Sequence, residues 1–326
     1  MLLKDVISKD LKENVYAFYQ IIEAHPKDYD KITRMDIYSE ILSCYRKDPE
    51  IILQMCSMEE IQILKKLLDE PILKKENGYI DYLLFQNLRE HYLVLLEEQK
   101  YFIPDDLINY VKMAINLLDE KKYNILDVMD SVILGIARIY NVLLVDSFLE
   151  IITTYCKEFE AVNIKEYINS HPRVKDKVEI VRYQKKVYLV SKEYYYYKDV
   201  LKLRKSLNKN YYSLEEVLSF GKYKLNLFQE EVLYYLNFLE IHLDSKSIDL
   251  LVHDLVFYCG FQINDDAMLL EICDQIGDLY KETKKIVFYF PNWLFFGESE
   301  NKESQSELES DNFFMKIKNY WNKLFK

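Results

Sequence analysis

Glycine and proline are scarce in this chain, which has six of each among 326 residues, about a third of their usual share. Sandwiches and barrels need a turn roughly every 8–12 residues, and those turns depend on these two residues. The scarcity excludes a many-stranded β fold, as well as the glycine-rich loops that hold phosphates in nucleotide-binding folds. Half of the residues are apolar and 30% are charged, which is sufficient to form folded cores. We predict a mainly α-helical protein of about two domains' length.

Helical periodicity supports this prediction along much of the chain. Apolar residues recur at three- and four-residue spacing over 213–219, 228–241, 246–259 and 266–281. Capping boxes, in which a hydroxyl and an acidic side chain satisfy each other's backbone N–H groups, predict helix starts at Thr33–Asp36, Ser57–Glu60 and Ser213–Glu216. The isolated glycines are expected at helix ends or at close packing; they are Gly221, Gly260 and Gly277.

Two segments depart from the helical period and predict β-hairpins. Residues 92–103 place two short apolar runs around a charged turn. Residues 178–190 are rich in β-branched and aromatic side chains around a turn at Tyr183-Gln184-Lys185. Each hairpin follows two or three short predicted helices, which is the element order of a winged-helix unit. We therefore predict a multi-helical fold of tandem winged-helix-like units with one or two short β-hairpins. The preceding helices are expected at 57–69 and 79–91, and at 130–140, 145–158 and 163–170.

Composition divides the chain into five predicted segments. Residues 298–311 contain six acids, four serines and one lysine, which is typical of a solvated, disordered linker. The segments are a helical, winged-helix-like domain at 1–120, a second winged-helix-like domain with a basic face at 121–210, a helical domain at 211–297, the acidic linker at 298–311 and a basic amphipathic tail helix at 312–326.

The sequence carries no signal for export or for membrane insertion. The first ten residues contain acids and lead into no apolar stretch, so no secretory signal is predicted. The most apolar region, Val132 to Ile152, contains Arg138 and Asp146 and cannot cross a bilayer. The five cysteines have no metal-like spacing, and their odd number does not indicate a disulfide framework. We expect a cytoplasmic protein with reduced, mostly buried thiols and no bound metal.

No recognisable catalytic motif occurs in the sequence. The five histidines form no metal-binding pattern, and there is no nucleophile elbow or phosphate loop. Asp249 and His253 lie four residues apart on a predicted helix, but an ordinary surface or core-edge histidine is the simpler interpretation. The acid pair Asp105-Asp106 is interpreted as the cap of a helix that begins there. We predict a non-catalytic protein that needs no cofactor.

Charge is distributed unevenly along the chain. The net charge is −11, yet residues 165–209 carry 13 lysine and arginine residues against five acids. This block has a net charge of +8, so the rest of the chain carries −19. A separate basic face is expected where a net-acidic protein binds a polyanion. Pairing with acids of the same protein, or with an acidic protein partner, is the alternative. The run Tyr194 to Tyr197 fits either base stacking or packing between helices.

Spacing within the basic block selects candidate contact residues. Four lysines between 198 and 209 recur at the steps of one helix stripe, and two more lie at the predicted hairpin tip. The candidate contacts for nucleic acid or another polyanion are Arg182, Lys185, Lys186, Lys198, Lys202, Lys205 and Lys209. We predict a binding or regulatory protein that contacts nucleic acid through a winged-helix-like surface at 165–209. The alternative is a helical adaptor or scaffold that binds a protein partner or an anionic membrane surface, partly through its tail.

The last 15 residues predict an amphipathic docking helix. They contain four lysines and no acid, and a helix this short needs a cover for its apolar face. Three covers are open. They are the body of the protein, with the apolar run Ile286 to Phe296 as a neighbour, a groove on a partner protein and an anionic membrane surface. The predicted docking residues are Phe313, Phe314, Ile317, Trp321, Leu324 and Phe325.

Two short motifs, YFIPDDL at Tyr101–Leu107 and IYNVLLVD at Ile139–Asp146, resemble uncharacterised bacterial helical proteins that repeat winged-helix-like units. The likeness extends loosely over 80–290. The resemblance implies the same repeated fold, and because that family has no established activity it implies no site residue. Some of its members end in a cysteine-rich zinc tail. This chain has no cysteine after Cys273, so the zinc tail is not carried over.

Overall fold

The computed structural model describes residues 1–23, 25–73, 78–155, 162–204, 212–225, 230–261, 266–273 and 277–295. Within these residues the chain is mainly helical and contains two three-stranded sheets, which confirms the predicted helical class. Among the described helices, none combines the length and the apolar character that a bilayer crossing requires.

The elements follow one another along the chain with short connections. The helices are α1 (Leu3–Ile7), α2 (Lys12–Ile22), α3 (Arg34–Lys47), α4 (Glu50–Gln54), α5 (Met58–Asp69), α6 (Tyr79–Glu90), α7 (Ile108–Asn116), α8 (Glu120–Tyr140), α9 (Val145–Tyr155), α10 (Ile164–Ser170), α11 (Pro172–Lys177), α12 (Tyr197–Leu203), α13 (Leu214–Tyr223), α14 (Glu230–His242), α15 (Ser245–Gly260), α16 (Asp266–Ile272) and α17 (Gly277–Ile286). The strands are β1 (Ile72–Leu73), β2 (Leu95–Glu97), β3 (Lys100–Phe102), β4 (Val142–Leu144), β5 (Val178–Tyr183) and β6 (Lys186–Ser191).

Packing divides the chain into two compact units, and the division falls inside α8. Unit 1 comprises Met1–Asp130 and Ala161–Lys177, and unit 2 comprises Ser131–Glu160 and Val178–Lys326. The five segments defined from composition stay predictions. Two of them, the acidic linker at 298–311 and the tail at 312–326, lie outside the described residues.

In unit 1 the predicted helices and hairpin are confirmed, and a third strand joins the hairpin. α5 and α6 match the helices predicted at 57–69 and 79–91, and β2 and β3 form the hairpin within 92–103. β1 pairs with the other edge of β3, which gives the strand order β1-β3-β2. Because β1 has only two residues, its sequence carries no alternating pattern that could predict it.

Three capping boxes predicted from the sequence are confirmed. In each, the hydroxyl accepts a hydrogen bond from the backbone N–H three residues on, and the acidic side chain accepts one from the N–H of the cap residue. They begin α3, α5 and α13 at Thr33, Ser57 and Ser213 respectively. Each such cap contributes about 1 kcal/mol to helix stability.

The interpretation of Asp105-Asp106 as the cap of its own helix is wrong. α7 begins only at Ile108, and the Asp106 carboxylate accepts hydrogen bonds from the backbone N–H of Leu3 at 2.7 Å and from the Tyr38 hydroxyl at 2.9 Å. Asp106 therefore stabilises the positive first turn of α1, which lies 103 residues away in sequence. Sequence spacing identified a residue suited to helix capping but assigned it to the wrong helix.

Buried acids on α8 hold α10 and α11 within unit 1. Arg173 pairs with Asp127 at 2.6 Å, and the Tyr167 hydroxyl donates to Asp130 at 2.8 Å. The ring of His171 stacks on Tyr167, with centroids 3.9 Å apart. Because both aspartates are buried, these contacts compensate carboxylates that would be costly to bury alone.

Replacing Asp176 with asparagine should destabilise unit 1 at neutral pH and much less in acid. Burial raises the pKa of Asp176, but hydrogen bonding to His91 and the charge of Lys177 outweigh burial and hold it below the ordinary value of 3.8. A carboxyl group with a lowered pKa stabilises the fold above its unfolded pKa, and this contribution is lost as the pH falls through the folded value. We expect Asp176→Asn to cost about 1.5–3 kcal/mol of unfolding free energy at neutral pH. Urea unfolding at neutral pH and at a pH well below 3.8 measures this cost. An equal cost at both pH values would contradict the prediction.

Unit 2 contains the predicted hairpin at 178–190, which is confirmed and extended by a third strand. β5 and β6 pair antiparallel along their full lengths, and the register ends with Tyr183 opposite Lys186. Gln184 and Lys185 form the turn with φ angles of 46° and 65°, which match the right-handed twist of a two-residue hairpin. β4 pairs with the other edge of β6, so the strand order is β4-β6-β5.

The C-terminal helices agree with the periodic segments except for the last. α13, α14 and α15 confirm the helices predicted at 213–219, 228–241 and 246–259. The single helix predicted over 266–281 is instead represented by α16 and by α17, which begins at Gly277.

An aromatic core forms around Trp293 in unit 2. Its ring is fully buried, and lies 5.2 Å from Tyr194 and 5.5 Å from Phe261, measured between centroids. The indole N–H donates to the carbonyl oxygen of Arg138 at 3.0 Å. Gly260 lies against the indole face, where a Cβ would come within 2.5 Å of a ring atom. The expectation of close packing is confirmed for this glycine.

The cysteines that the structure describes are buried thiols, as predicted. They are Cys44, Cys56, Cys259 and Cys273. Burial raises the pKa of Cys44 to about 12, together with its hydrogen bond to Glu23. This thiol is therefore protonated at neutral pH and is unreactive as a nucleophile. Cys156 lies outside the described residues.

Candidate nucleic-acid interface

The structure divides the basic block 165–209 between the two units. In unit 1, Arg173 and Lys177 form ion pairs with acids of that unit, and Lys175 donates to backbone carbonyl oxygens at the end of α2. Lys165 is exposed on α10. These contacts stabilise unit 1. They agree with the alternative, stated above, that part of the basic block pairs with acids of the same protein. The candidate interface is therefore narrower than the block and lies in unit 2.

Three basic residues lie within five positions at the tip of the β5–β6 hairpin. Arg182 precedes the last residue of β5, Lys185 lies in the turn, and Lys186 begins β6. All three are exposed. Within the described part of the chain, none of the three forms an ion pair with an acidic side chain. A concentration of positive charge without internal compensation attracts anionic ligands.

Aromatic contacts place α12 beside this hairpin. Tyr183, next to the turn, packs edge-on against Tyr197 at the start of α12, with ring centroids 6.0 Å apart. The Nζ atom of Lys198 lies 5.8 Å from the centre of the Tyr197 ring, so this exposed cation is next to the hairpin. Lys202 follows on the same helix and pairs with Asp199 at 3.3 Å. Four exposed cations are together termed the basic tip: Arg182, Lys185, Lys186 and Lys198.

Of the four lysines in the predicted stripe over 198–209, the structure describes two. α12 ends at Leu203, and Arg204 has extended backbone angles with φ −58° and ψ 126°. Lys198 and Lys202 are exposed on α12. The other two predicted contacts, Lys205 and Lys209, lie outside the described residues.

Arg204, although part of the basic block, is a half-buried structural residue. Its guanidinium donates three hydrogen bonds of 2.8 Å, to the backbone carbonyl oxygens of Tyr140, Val142 and Trp293. These contacts join the end of α8, strand β4 and the aromatic core. Counting cations along the sequence therefore overestimates the charge that is available to a ligand.

An exposed tyrosine accompanies the basic tip. Tyr195 is 55% exposed, and its ring meets that of Tyr197 edge-on at 5.2 Å. Its hydroxyl is hydrogen-bonded to Glu179 on β5, which raises the pKa of Tyr195 to about 12. Tyr194 and Tyr197 are buried, so these two members of the tyrosine run pack within the protein. The exposed ring of Tyr195 is suited to stacking against a nucleobase.

Asp249 and His253, the pair considered for metal or acid–base chemistry, have structural partners. The Asp249 carboxylate forms an ion pair with Lys224, with 2.9 Å between Oδ1 and Nζ. His253 lies 3.3 Å from Asp254 and stacks on Tyr194. Within the ranges that the structure describes, no group of three or more His, Cys, Asp or Glu side chains could hold a metal ion. Asp249 and His253 are thus engaged in contacts within unit 2.

Comparisons with protein-family models, with curated proteins and with solved structures gave no match. A function is therefore inferred from the geometry and the charge of the described residues. Of these, the basic tip is the feature that is least explained by the stability of the fold.

Proposed function

We propose that this protein is a non-catalytic, nucleic-acid-binding or regulatory protein that contacts phosphates through the basic tip. The observation that carries the proposal is the presence of three exposed cations within five residues at the hairpin tip, Arg182, Lys185 and Lys186, without an ion pair to a described acid. Because Lys186 lies opposite Tyr183 in the register, Arg182 and Lys186 are on opposite faces of the hairpin and give the tip positive charge on both. The net charge of −11 repels polyanions in general. A phosphate backbone therefore approaches most favourably at this locally positive surface.

The chain order of the elements supports a winged-helix-like interpretation of this region. Strand β4 follows α8, α9 comes next in unit 2, α10 and α11 follow in unit 1, and the β5–β6 hairpin closes the sheet in the order β4-β6-β5. Unit 1 has the same strand order, β1-β3-β2, with α6 between β1 and β2. In a winged-helix protein the hairpin is the wing, and its tip lies against the phosphate backbone. The β5–β6 hairpin fits this role.

The chemistry of the basic tip favours contacts to the backbone over contacts to bases. Arginine can donate two parallel hydrogen bonds to one phosphate, whereas lysine acts as a mobile point charge. Such contacts fix position and orientation but carry no sequence information. We therefore expect binding with little sequence preference from this surface, and an affinity that falls steeply as salt increases.

Reversing the charge of the hairpin tip is expected to abolish most of the binding. The variant carries Arg182→Glu, Lys185→Glu and Lys186→Glu, and we expect its affinity for a mixed-sequence DNA duplex to fall by about 100-fold at low salt. The slope of log affinity against log salt should decrease by about one unit for each phosphate that the variant no longer neutralises. Fluorescence anisotropy over a salt series, with duplex and single-stranded DNA and RNA, measures both quantities.

A matched variant separates the basic tip from net charge. Lys9, Lys66 and Lys112 are exposed lysines of unit 1, and reversing all three changes the net charge by the same amount. We expect this control to lose much less affinity than the tip variant, because it leaves the basic tip intact. At about 0.1 M salt, exposed charges act on a phosphate over only about 10 Å. Equal losses in both variants, or no binding of the wild-type protein to DNA or RNA at low salt, would remove the proposal.

A further inference from the structure

The outer face of α14 is apolar although α14 already buries its inner face in unit 2. The inner face contains Val232, Tyr235 and Leu239, which are buried. On the outer face Tyr234 is 63% exposed and Ile241 is 77% exposed, the largest exposure of any large hydrophobic side chain that the structure describes. A helix that is apolar on both faces is normally covered on both.

Acidic residues border this outer face. On a helix of 3.6 residues per turn, Tyr234, Phe238 and Ile241 share one stripe. Glu230 and Glu231 are exposed at the start of the same helix, and α14 contains no lysine or arginine. The surface therefore combines an apolar stripe with negative charge. A matching ligand would be an amphipathic helix that carries positive charge along its borders.

The apolar run considered from sequence as the neighbour of the tail is itself buried in unit 2. Within the run Ile286 to Phe296, the side chains of Ile286, Phe290 and Trp293 are buried in unit 2. Trp293 is enclosed by the aromatic core described above. This run therefore offers no free apolar surface at these positions, and a tail that docks on its own protein needs another site.

We propose that the C-terminal segment 312–326 docks on the outer face of α14 within the same chain. The segment has apolar residues at three- and four-residue steps, four lysines and no acid, so its charge complements Glu230 and Glu231. A 15-residue helix is about 22 Å long, close to the roughly 20 Å of the 13-residue α14. The 16 residues from 296 to 311 can span up to about 50 Å, which is comparable with the roughly 40 Å diameter expected of a compact unit of this length.

Tryptophan fluorescence of the full chain tests this docking. The chain has two tryptophans, and Trp293 is fully buried, so acrylamide quenching reports on Trp321 in the tail. In the wild type we expect Trp321 to be shielded. The double variant Tyr234→Glu with Ile241→Glu should expose it, and the quenchable share of the emission should rise towards about half. The matched control is Met113→Glu with Leu117→Glu, two comparably exposed apolar residues of unit 1, and it should leave Trp321 shielded.

A charge swap distinguishes docking within the chain from other occupants. Glu230→Lys with Glu231→Lys should raise the quenching of Trp321 at low salt, and adding Lys316→Glu with Lys323→Glu should lower it again. Equal quenching of wild type and the Tyr234/Ile241 variant would overturn the proposal. It would also be overturned if sedimentation showed a wild-type dimer that the α14 variant dissociates while Trp321 stays exposed, or if Trp321 became shielded only on phosphatidylserine vesicles.

Discussion

Replacing Gly221 with alanine is expected to lower the free energy of unfolding by about 2–3 kcal/mol. Gly221 lies on α13 against the backbone carbonyl of Ser131 on α8, and Gly135 of α8 lies in turn against the carbonyl of Val217. A Cβ at either glycine would overlap the facing carbonyl group. The two helices therefore approach backbone to backbone at two points, and an added methyl group has to push them apart.

The sign of this effect is diagnostic. In an exposed helix interior, replacing glycine with alanine stabilises the helix by up to about 1 kcal/mol, so a loss of stability reports the close approach. Gly135→Ala should have a similar cost. The double variant should cost less than the sum, because one displacement of α13 accommodates both methyl groups. Gly78→Ala is the control: Gly78 is the exposed N-cap of α6 with a φ of −58°, so alanine there should cost only the N-cap preference for glycine, less than about 1 kcal/mol. Urea unfolding of the four variants measures these costs, and a stabilised Gly221→Ala would contradict the packing.

Local signals in the sequence were sufficient for much of the fold. The capping boxes at Thr33, Ser57 and Ser213 depend on two side chains three residues apart, and the structure forms all three. The β5–β6 hairpin was likewise recognisable, because a β-branched run on each side of a polar turn is a local pattern. Elements whose formation is decided within one stretch of chain can be predicted in this way.

Elements that depend on distant partners were not predictable. β4 has three residues and is a strand only because β6 offers it an edge. Asp106 has the composition of a local cap, but its partner is α1. The isolated Gly221 was expected at a helix end or at close packing, and only the fold shows that its neighbour is Ser131. In each case the deciding contact joins residues that are far apart in sequence.

At the candidate interface, too, local features could be predicted from sequence and long-range contacts could not. The basic tip could be located from sequence because Arg182, Lys185 and Lys186 belong to one local turn, whose tip necessarily projects from the sheet. The roles of Arg173 and Arg204 could not be located in the same way. A charged side chain is withdrawn from solvent only where the fold supplies its hydrogen-bond partners, and those partners are distant in sequence. Charge patterning therefore located the exposed cations of the hairpin tip but also included cations that serve the core.

Replacing Arg138 with methionine is expected to cost about 3–5 kcal/mol of unfolding free energy, because it breaks a buried ion pair on one side only. Arg138 is 7% exposed. It donates to both carboxylate oxygens of Glu193, at 2.8 and 3.2 Å, and to the carbonyl oxygens of Phe220 and Gly221. Glu193 lies just after β6, so this side chain joins α8, the base of the hairpin and the end of α13. Methionine fills a similar volume but donates no hydrogen bond.

A second substitution separates the effect of the broken ion pair from that of altered packing. In the Arg138→Met background, Glu193→Gln removes the carboxylate that no longer has its bidentate donor, and we expect it to restore about 1–2 kcal/mol. In the wild-type background the same Glu193→Gln should destabilise, so the two effects have opposite signs. Arg182→Met is the matched control, since Arg182 is exposed on β5, and it should stay within about 0.5 kcal/mol of wild type. A cost of Arg138→Met no larger than that of the control, or a further decrease in stability on adding Glu193→Gln, would show that the ion pair does not anchor the hairpin.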